Sequence, residues 1–219
     1  MPSVGINKHF DTVYRIVSHE RFLQRKGLGN DVPFFIDAYD PADEFAVAEQ
    51  VRVLHERLEH GGIPTVRLPM YEIVLEMLEE AGWLEKLFEL EPKMPKTAEA
   101  AGRRGRTFFT EMDKYTDVRS GSRLHRQIAR RLEDVPGHRL VLMHELGTVF
   151  PFLRAHTLLN NLHSLVTNVP LVAFFPGRYV SSERDGFYLS LFGRFNGDYY
   201  RAFQLEDYLD RGQIRADVE

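Results

Sequence analysis

The stretch RLVLMHELGTVFPFLRAHTLLNNLHSLVTNVPLVAFFPG, Arg139 to Gly177, decides the fold. Its opening residues, 139–144, form an apolar run of strand length, without the alternation that a half-solvated strand would show. Residues 151–166 then carry Leu158, Leu162 and Leu165 at helical spacing, which predicts an amphipathic helix. Residues 170–175 give a second apolar run, ended by Pro176-Gly177. Strand, helix and strand in this order predict two parallel strands with the helix packed across them.

The same alternation extends upstream. Residues 32–39 read as a buried strand with Pro33 near its start, where a missing N–H matters least. Asp40 followed by Pro41 fits a helix cap and first helical position. Val47, Val51, Leu54 and Leu58 carry that helix to a stop at Gly61-Gly62. Residues 63–70 form another strand candidate, and 71–81 a helix with Ile73, Val74, Met77 and Leu78 on one face. An N-terminal helix is expected over 7–24, from Phe10, Val13, Tyr14, Val17 and Phe22, before Gly27-Leu28-Gly29-Asn30 breaks it. Residues 83–90 continue helical beyond Gly82. Residues 91–121, broken by Pro92, Pro95, Gly102, Gly105 and Gly121, are the least periodic. Residues 122–133 return to helix. Residues 181–186 read as a turn, 187–195 as a strand, and 199–205 as a last strand before a short charged tail.

These elements predict an α/β fold, mainly a parallel sheet with helices on both faces. Its outline is that of P-loop NTPases, lacking the phosphate-binding loop. The expected organisation is one domain over 1–219, with a basic helical or flexible insertion at about 91–138. The chain has 219 residues, 43% hydrophobic and 27% charged, with no cysteine. That excludes disulfides and thiolate metal sites, and it suits a cytoplasmic protein. No apolar stretch approaches the roughly 20 residues that span a bilayer. The net charge of −4 is unevenly placed: eleven of the 28 Lys and Arg, but six of the 32 Asp and Glu, lie within 96–139. That segment could meet nucleic acid or an acidic partner, or simply be a solvated helical excursion.

In parallel sheets ligands bind outside the carboxyl ends of the strands, which here fall at 37–40, 68–70, 144–147 and 175–178. His144-Glu145 closes a hydrophobic strand with an acid, as the Mg²⁺-side strand of P-loop ATPases does. Yet no G-x-x-x-x-G-K-[ST] occurs, so neither the phosphate nest nor its lysine exists. His144 and Glu145 converging with Asp37 and Asp40 would make a cation site or proton relay, although no H-E-x-x-H spacing supports a metal. No nucleophile elbow is present. The helix after Phe150 either offers its N-terminus to an anion or uses Arg154 and Asn160 to brace itself on the sheet.

Several stretches together resemble the BrxB family of bacterial BREX (bacteriophage exclusion) systems. They are Gly27-Leu28-Gly29-Asn30 through Pro33-Phe34-Phe35 to Tyr39-Asp40-Pro41; Gly147 through Pro151-Phe152-Leu153-Arg154-Ala155-His156 to Leu159-Asn160-Asn161-Leu162; and Phe174-Phe175-Pro176-Gly177-Arg178-Tyr179. Leu191-Phe192-Gly193-Arg194 and Tyr199-Tyr200-Arg201-Ala202-Phe203 resemble the family's C-terminal end. The resemblance spans 22–205 and is weakest over 91–139. It implies phage defence, with no catalytic motif to carry over, no metal and no cofactor. The implied role is an adaptor to larger BREX components. The PglZ phosphatase-like protein is the first partner to test, then the methyltransferase or the AAA+ ATPase; a homo-oligomer is also compatible. A degenerate nucleotide-binding protein, or a DNA-binding accessory subunit using 96–139, is the alternative. The candidate partner- or ligand-binding residues are Asp37, Asp40, Arg154, His156, Asn160, Asn161, Arg178 and Arg201.

Overall fold

A computed structural model describes residues 4–26, 34–102, 106–150, 152–153, 155–182, 186–191, 195–196 and 202–210. The strands are β1 (Phe34–Tyr39), β2 (Thr65–Pro69), β3 (Leu140–His144), β4 (Leu171–Ser182), β5 (Gly186–Leu191), β6 (Phe195–Asn196) and β7 (Phe203–Gln204). Five of them form a parallel sheet in the order β2-β3-β4-β1-β7. The helices are α1 (Val4–Val17), α2 (Glu20–Leu23), α3 (Glu44–His60), α4 (Met70–Glu80), α5 (Leu84–Leu90), α6 (Ala98–Ala101), α7 (Phe108–Met112), α8 (Arg123–Glu133), α9 (Ala155–Leu162) and α10 (Asp207–Asp210). The expected α/β architecture is therefore present.

Period-two alternation along the strands sends their apolar residues to both faces. Phe34, Ile36, Val66, Leu68, Val141, Met143, Ala173 and Phe175 pack with buried residues of α4, α5, α7, α8 and α9. Phe35, Leu140, Leu142, Val172 and Phe174 pack with α1, α3 and α10 on the other face. Double coverage explains the continuous apolar runs that marked the strands in the sequence. The stretch read as an insertion feeds the first of these faces, through Phe108, Met112, Val118, Leu124 and Ile128.

Short elements here rest on tertiary contacts, because helices of four residues are not stable alone. Phe22 of α2 and Tyr208 of α10 meet edge-on at 5.0 Å, and both touch Phe35 of β1, at 4.9 and 5.5 Å. Each such aromatic pair contributes about 0.5–1.5 kcal/mol beyond its buried area. The open edge of β2 is guarded by α3. Glu59 accepts from the Thr65 main-chain N–H at 2.6 Å, and His55 Nε2 bonds the Thr65 carbonyl oxygen at 2.9 Å. These two side chains occupy the main-chain groups of Thr65, at the start of the edge an added strand would use.

Several boundaries differ from expectation. The N-terminal helix is two helices, separated at Ser18-His19, where the His19 ring accepts from the Arg21 N–H and starts α2. The strand expected to stop at Pro176-Gly177 continues to Ser182, because it changes partners. Up to Pro176 it pairs with β1, and from Gly177 it pairs antiparallel with β5. Proline is tolerated at such a handover, where a ladder hydrogen bond is already absent. The helix read over 151–166 is confined to α9, and α10 stands where a charged tail was expected.

Candidate functional site

The carboxyl ends of β1, β3 and β4 bring together residues from α1, α3 and the β3–α9 connection. Side chains that leave the sheet on the α1–α3 side belong to Asp37 and Tyr39 on β1 and to His144 on β3. Asp37 is buried and accepts from His9 Nε2 of α1, at 3.0 and 2.9 Å to its two oxygens. That bond holds the His9 imidazole above its usual pKa, against the opposing cost of its burial. Tyr39 donates its hydroxyl to Glu44 Oε2 at 2.8 Å, and Thr148 donates to Glu44 Oε1 at 3.2 Å. Burial, reinforced by the Glu44 carboxylate, pushes the Tyr39 phenol upward, so it remains a donor.

Glu44 stands at the first residue of α3, where its charge complements the positive helix end. The chain reaches this point through a short helical turn, Pro41–Asp43, whose Ala42 N–H is taken by Asp40 Oδ1 at 2.9 Å. The Asp40-Pro41 cap is thus present as expected. Gly147 completes the closure. A Cβ there would lie 2.2 Å from Glu44 Oε2 and 2.9 Å from Pro176 Cγ, so only glycine allows the connection to approach so closely.

His144 is 1% exposed, and neither ring nitrogen has a hydrogen-bond partner. Burial, aided by the positive charge of Arg67, pushes its pKa down to about 3, and the ring is neutral at pH 7. Glu145 follows in a left-handed conformation, φ 63°, which costs a non-glycine residue about 1–2 kcal/mol. Its pKa is raised by burial and by Glu72, while the main-chain N–H groups of Glu72 and Tyr71 at the start of α4 oppose the shift.

The register separates the two acid–imidazole pairs. Asp37 lies opposite Phe174 on β4, and His144 follows Met143, which lies opposite Ala173. Phe174 therefore stands between Asp37 and His144, which are two strand spacings apart, roughly 9–10 Å. Its ring is covered by Phe10 in a stacked arrangement, 5.5 Å between centroids. Asp37 with Asp40 and His144 with Glu145 do not converge on one point. Among the described residues no group of three or more His, Asp and Glu could hold a metal ion.

The remaining candidates are dispersed. Asn161 Nδ2 donates to the Thr157 carbonyl oxygen within α9 at 2.8 Å, whereas Asn160 is exposed. His156 lies on α9, and Arg178 is exposed on β4 opposite Ser190. Arg154 and Arg201 lie outside the described residues. His9, Tyr39, Glu44 and Thr148 were not singled out from sequence. Partners 28 and 104 positions apart leave no local spacing signal.

Most described Lys and Arg of the basic segment face carboxylates. Lys96 pairs with Glu91, Arg106 and Lys114 with Glu111, and Arg119 with Asp117. On α8, Arg130 and Arg131 face Glu80 and Glu76 of α4, and Arg139 meets Glu20. Arg123 lies over the Trp83 ring at 5.0 Å, and Arg126 donates to the Gly121 carbonyl oxygen. Nearby carboxylates reduce the positive field that nucleic acid would meet. No helix among the described residues is long and apolar enough to cross a membrane.

No solved structure matches the chain. A BREX protein BrxB from Bacillus cereus (strain H3081.97) is 38% identical over 204 residues, covering 92% of this chain and 98% of the relative. One from Escherichia coli O9:H4 (strain HS) is 27% identical over 190 residues, covering 86% of each. The profile of the family described as BREX protein BrxB matches residues 66–205, from β2 to the turn after β7. The chain belongs to the BrxB family of the BREX phage-defence system.

Proposed function

We propose that the chain is a non-catalytic adaptor of a BREX defence complex, binding a larger component, PglZ first. One observation carries this reading: the carboxyl edge of the sheet is closed by its own hydrogen bonds. Glu44 is held by Tyr39 and Thr148, Asp37 by His9, and Gly147 is pressed against the Glu44 carboxylate. A general base must have its proton acceptor open towards a substrate; here the carboxylates of Asp37 and Glu44 are engaged within the fold, and the unpartnered His144 nitrogens and Glu145 Oε2 are buried. A nucleotide phosphate at the β1–α3 junction would meet the carboxylates of Asp40 and Glu44 in place of a nest of free N–H groups. That arrangement disfavours the nucleotide-binding alternative, and the carboxylates paired with most described arginines and lysines over 96–139 disfavour the DNA-binding one.

The test is co-expression with PglZ, followed by size-exclusion chromatography of the mixture at micromolar concentration. Co-elution as one peak is expected. Separate elution, with each protein well folded, would refute that pairing, and the same assay then applies to the methyltransferase and the AAA+ ATPase.

A further inference from the structure

A cleft of about 450 Å³ opens on the α9 side of the sheet, where the β3–α9 connection runs into α9. The loop between α7 and α8 forms one wall, through Asp113, Thr116, Asp117, Val118 and Arg119. Phe152, Leu153 and Thr157, in and just before α9, form the other. Thr116 pins the walls together by donating to the Phe152 carbonyl oxygen at 2.6 Å. Val118 and Leu153 are buried and Phe152 half-buried, and they give the cleft an apolar wall beside an equally large polar one.

The polar part of the lining carries two carboxylates and one guanidinium. Asp113 is exposed and has no ion-pair partner among the described residues. Asp117 is held from two residues away: Arg119 donates from Nε and Nη2 at 2.8–3.0 Å in the planar two-point geometry of a guanidinium on a carboxylate. The Arg119 side chain is 83% exposed, and a pair so exposed is weak, about 0–1 kcal/mol or less in salt. Asp117 thus has its acceptor oxygens arranged for an arginine, while the one it holds is easily displaced.

We propose that this cleft receives an arginine side chain of a partner protein. Its guanidinium lies between Asp113 and Asp117, and an adjacent apolar residue packs on Val118 and Phe152. Charge complementarity selects this occupant, since Asp113 has no ion-pair partner among the described residues and an apolar wall favours the weakly hydrated guanidinium over an ammonium. In the bound state Arg119 swings out to solvent. The inference rests on the adaptor reading and names one surface that serves it.

The probe is acetyl-arginyl-leucine amide, titrated into the ¹⁵N-labelled chain, with its citrulline counterpart as the neutral isostere. Shifts are expected at the amides of Asp113, Thr116, Asp117, Val118 and Thr157, with binding about tenfold weaker for citrulline. Arg119→Ala removes the internal competitor and should strengthen binding roughly threefold. Asp113→Asn, an exposed change that leaves the fold intact, should weaken it. Equal binding of the citrulline peptide, weaker binding by Arg119→Ala, or shifts elsewhere would overturn the cleft assignment. The co-elution assay separates the two readings. An Asp113→Asn/Asp117→Asn chain that co-elutes like wild type removes the cleft alone. A wild-type chain that elutes apart from every component removes the adaptor reading, and the peptide titration still decides the cleft.

Discussion

Replacing His144 by leucine should stabilise the protein, and more so in acid. The ring is 1% exposed with both nitrogens unpartnered. A buried polar atom without a partner costs about 1–3 kcal/mol, which leucine, of similar volume, does not incur. His144→Leu is therefore expected to gain roughly 1–3 kcal/mol at pH 7. The acid term follows from linkage. An unfolded histidine titrates near 6.5, and the folded ring is pushed down to about 3. Its folded pKa is depressed, so the stability attached to the neutral ring is present above pH 6.5 and is lost as pH falls towards 3. At pH 5 the unfolded chain is protonated and the folded chain is not, which costs about 2 kcal/mol.

Glu145, 3.9 Å away, works in the opposite sense. Its raised pKa means that stability is gained as pH falls from its folded value towards 4.5. It remains in both proteins, so the difference between variant and wild type isolates the histidine. Urea unfolding at pH 7, 6 and 5, with the m-value checked for constancy, reads that difference directly. It should widen by about 2 kcal/mol between pH 7 and pH 5. A variant less stable at pH 7, or a difference independent of pH, would refute the assignment of His144 as buried, neutral and unpartnered.

Three other perturbations test the closure. Gly147→Ala forces a methyl group onto Glu44 and Pro176 and should cost about 1–3 kcal/mol by urea unfolding; the cost should shrink in a Glu44→Ala background, because one of the two clashing groups is then gone. Tyr39→Phe removes one of the donors to Glu44 and should destabilise by about 1.5–3 kcal/mol, with no change outside error pointing to a solvent-held carboxylate. His9→Asn should flatten the stability profile above pH 6.5: the raised histidine pKa gives a contribution complete below pH 6.5 and lost as pH rises through the folded value, so equal slopes for both proteins above pH 6.5 would contradict the His9–Asp37 bond.

The architecture was legible wherever burial was two-sided. The apolar runs of β1, β3 and β4 announced themselves because every residue in them faces a packed helix layer. Asp40 was legible because a cap is a local event, decided within three residues. The extension of β4 beyond Pro176 was not, since proline and glycine normally end a strand and only a change of partner lets this one continue. The core role of Phe108, Met112 and Val118 was hidden by the breakers around them. The closed carboxyl edge was least legible of all. Asp37 was identified as a candidate, yet its partner His9 is on a helix whose approach to β1 no local pattern encodes. Of the candidates on α9, Asn161 bonds the Thr157 carbonyl oxygen of its own helix, and Asn160, expected with Arg154 to brace the helix on the sheet, is exposed.

The distribution of engaged and open polar groups divides the molecule functionally. In a parallel sheet the carboxyl edge ordinarily hosts the ligand, since helix N-termini and strand ends converge there. In this chain that edge carries an acid on each potential anion site: Asp40 on the Pro41–Asp43 turn, Glu44 on α3, and Glu145 beside the start of α4. Asp40 and Glu44 are held by donors of the same fold, and Glu145 Oε2 is buried without a partner. Such an arrangement stiffens the β1–α3 and β3–α9 junctions and fixes where α9 begins. On the α9 side, the α7–α8 loop and α9 leave carboxylate and apolar surface open together in one cleft. On the adaptor reading the two features are one design: the sheet edge is locked so that the α9 side can present a rigid face, and rigidity before binding is what limits the entropic cost of holding a partner.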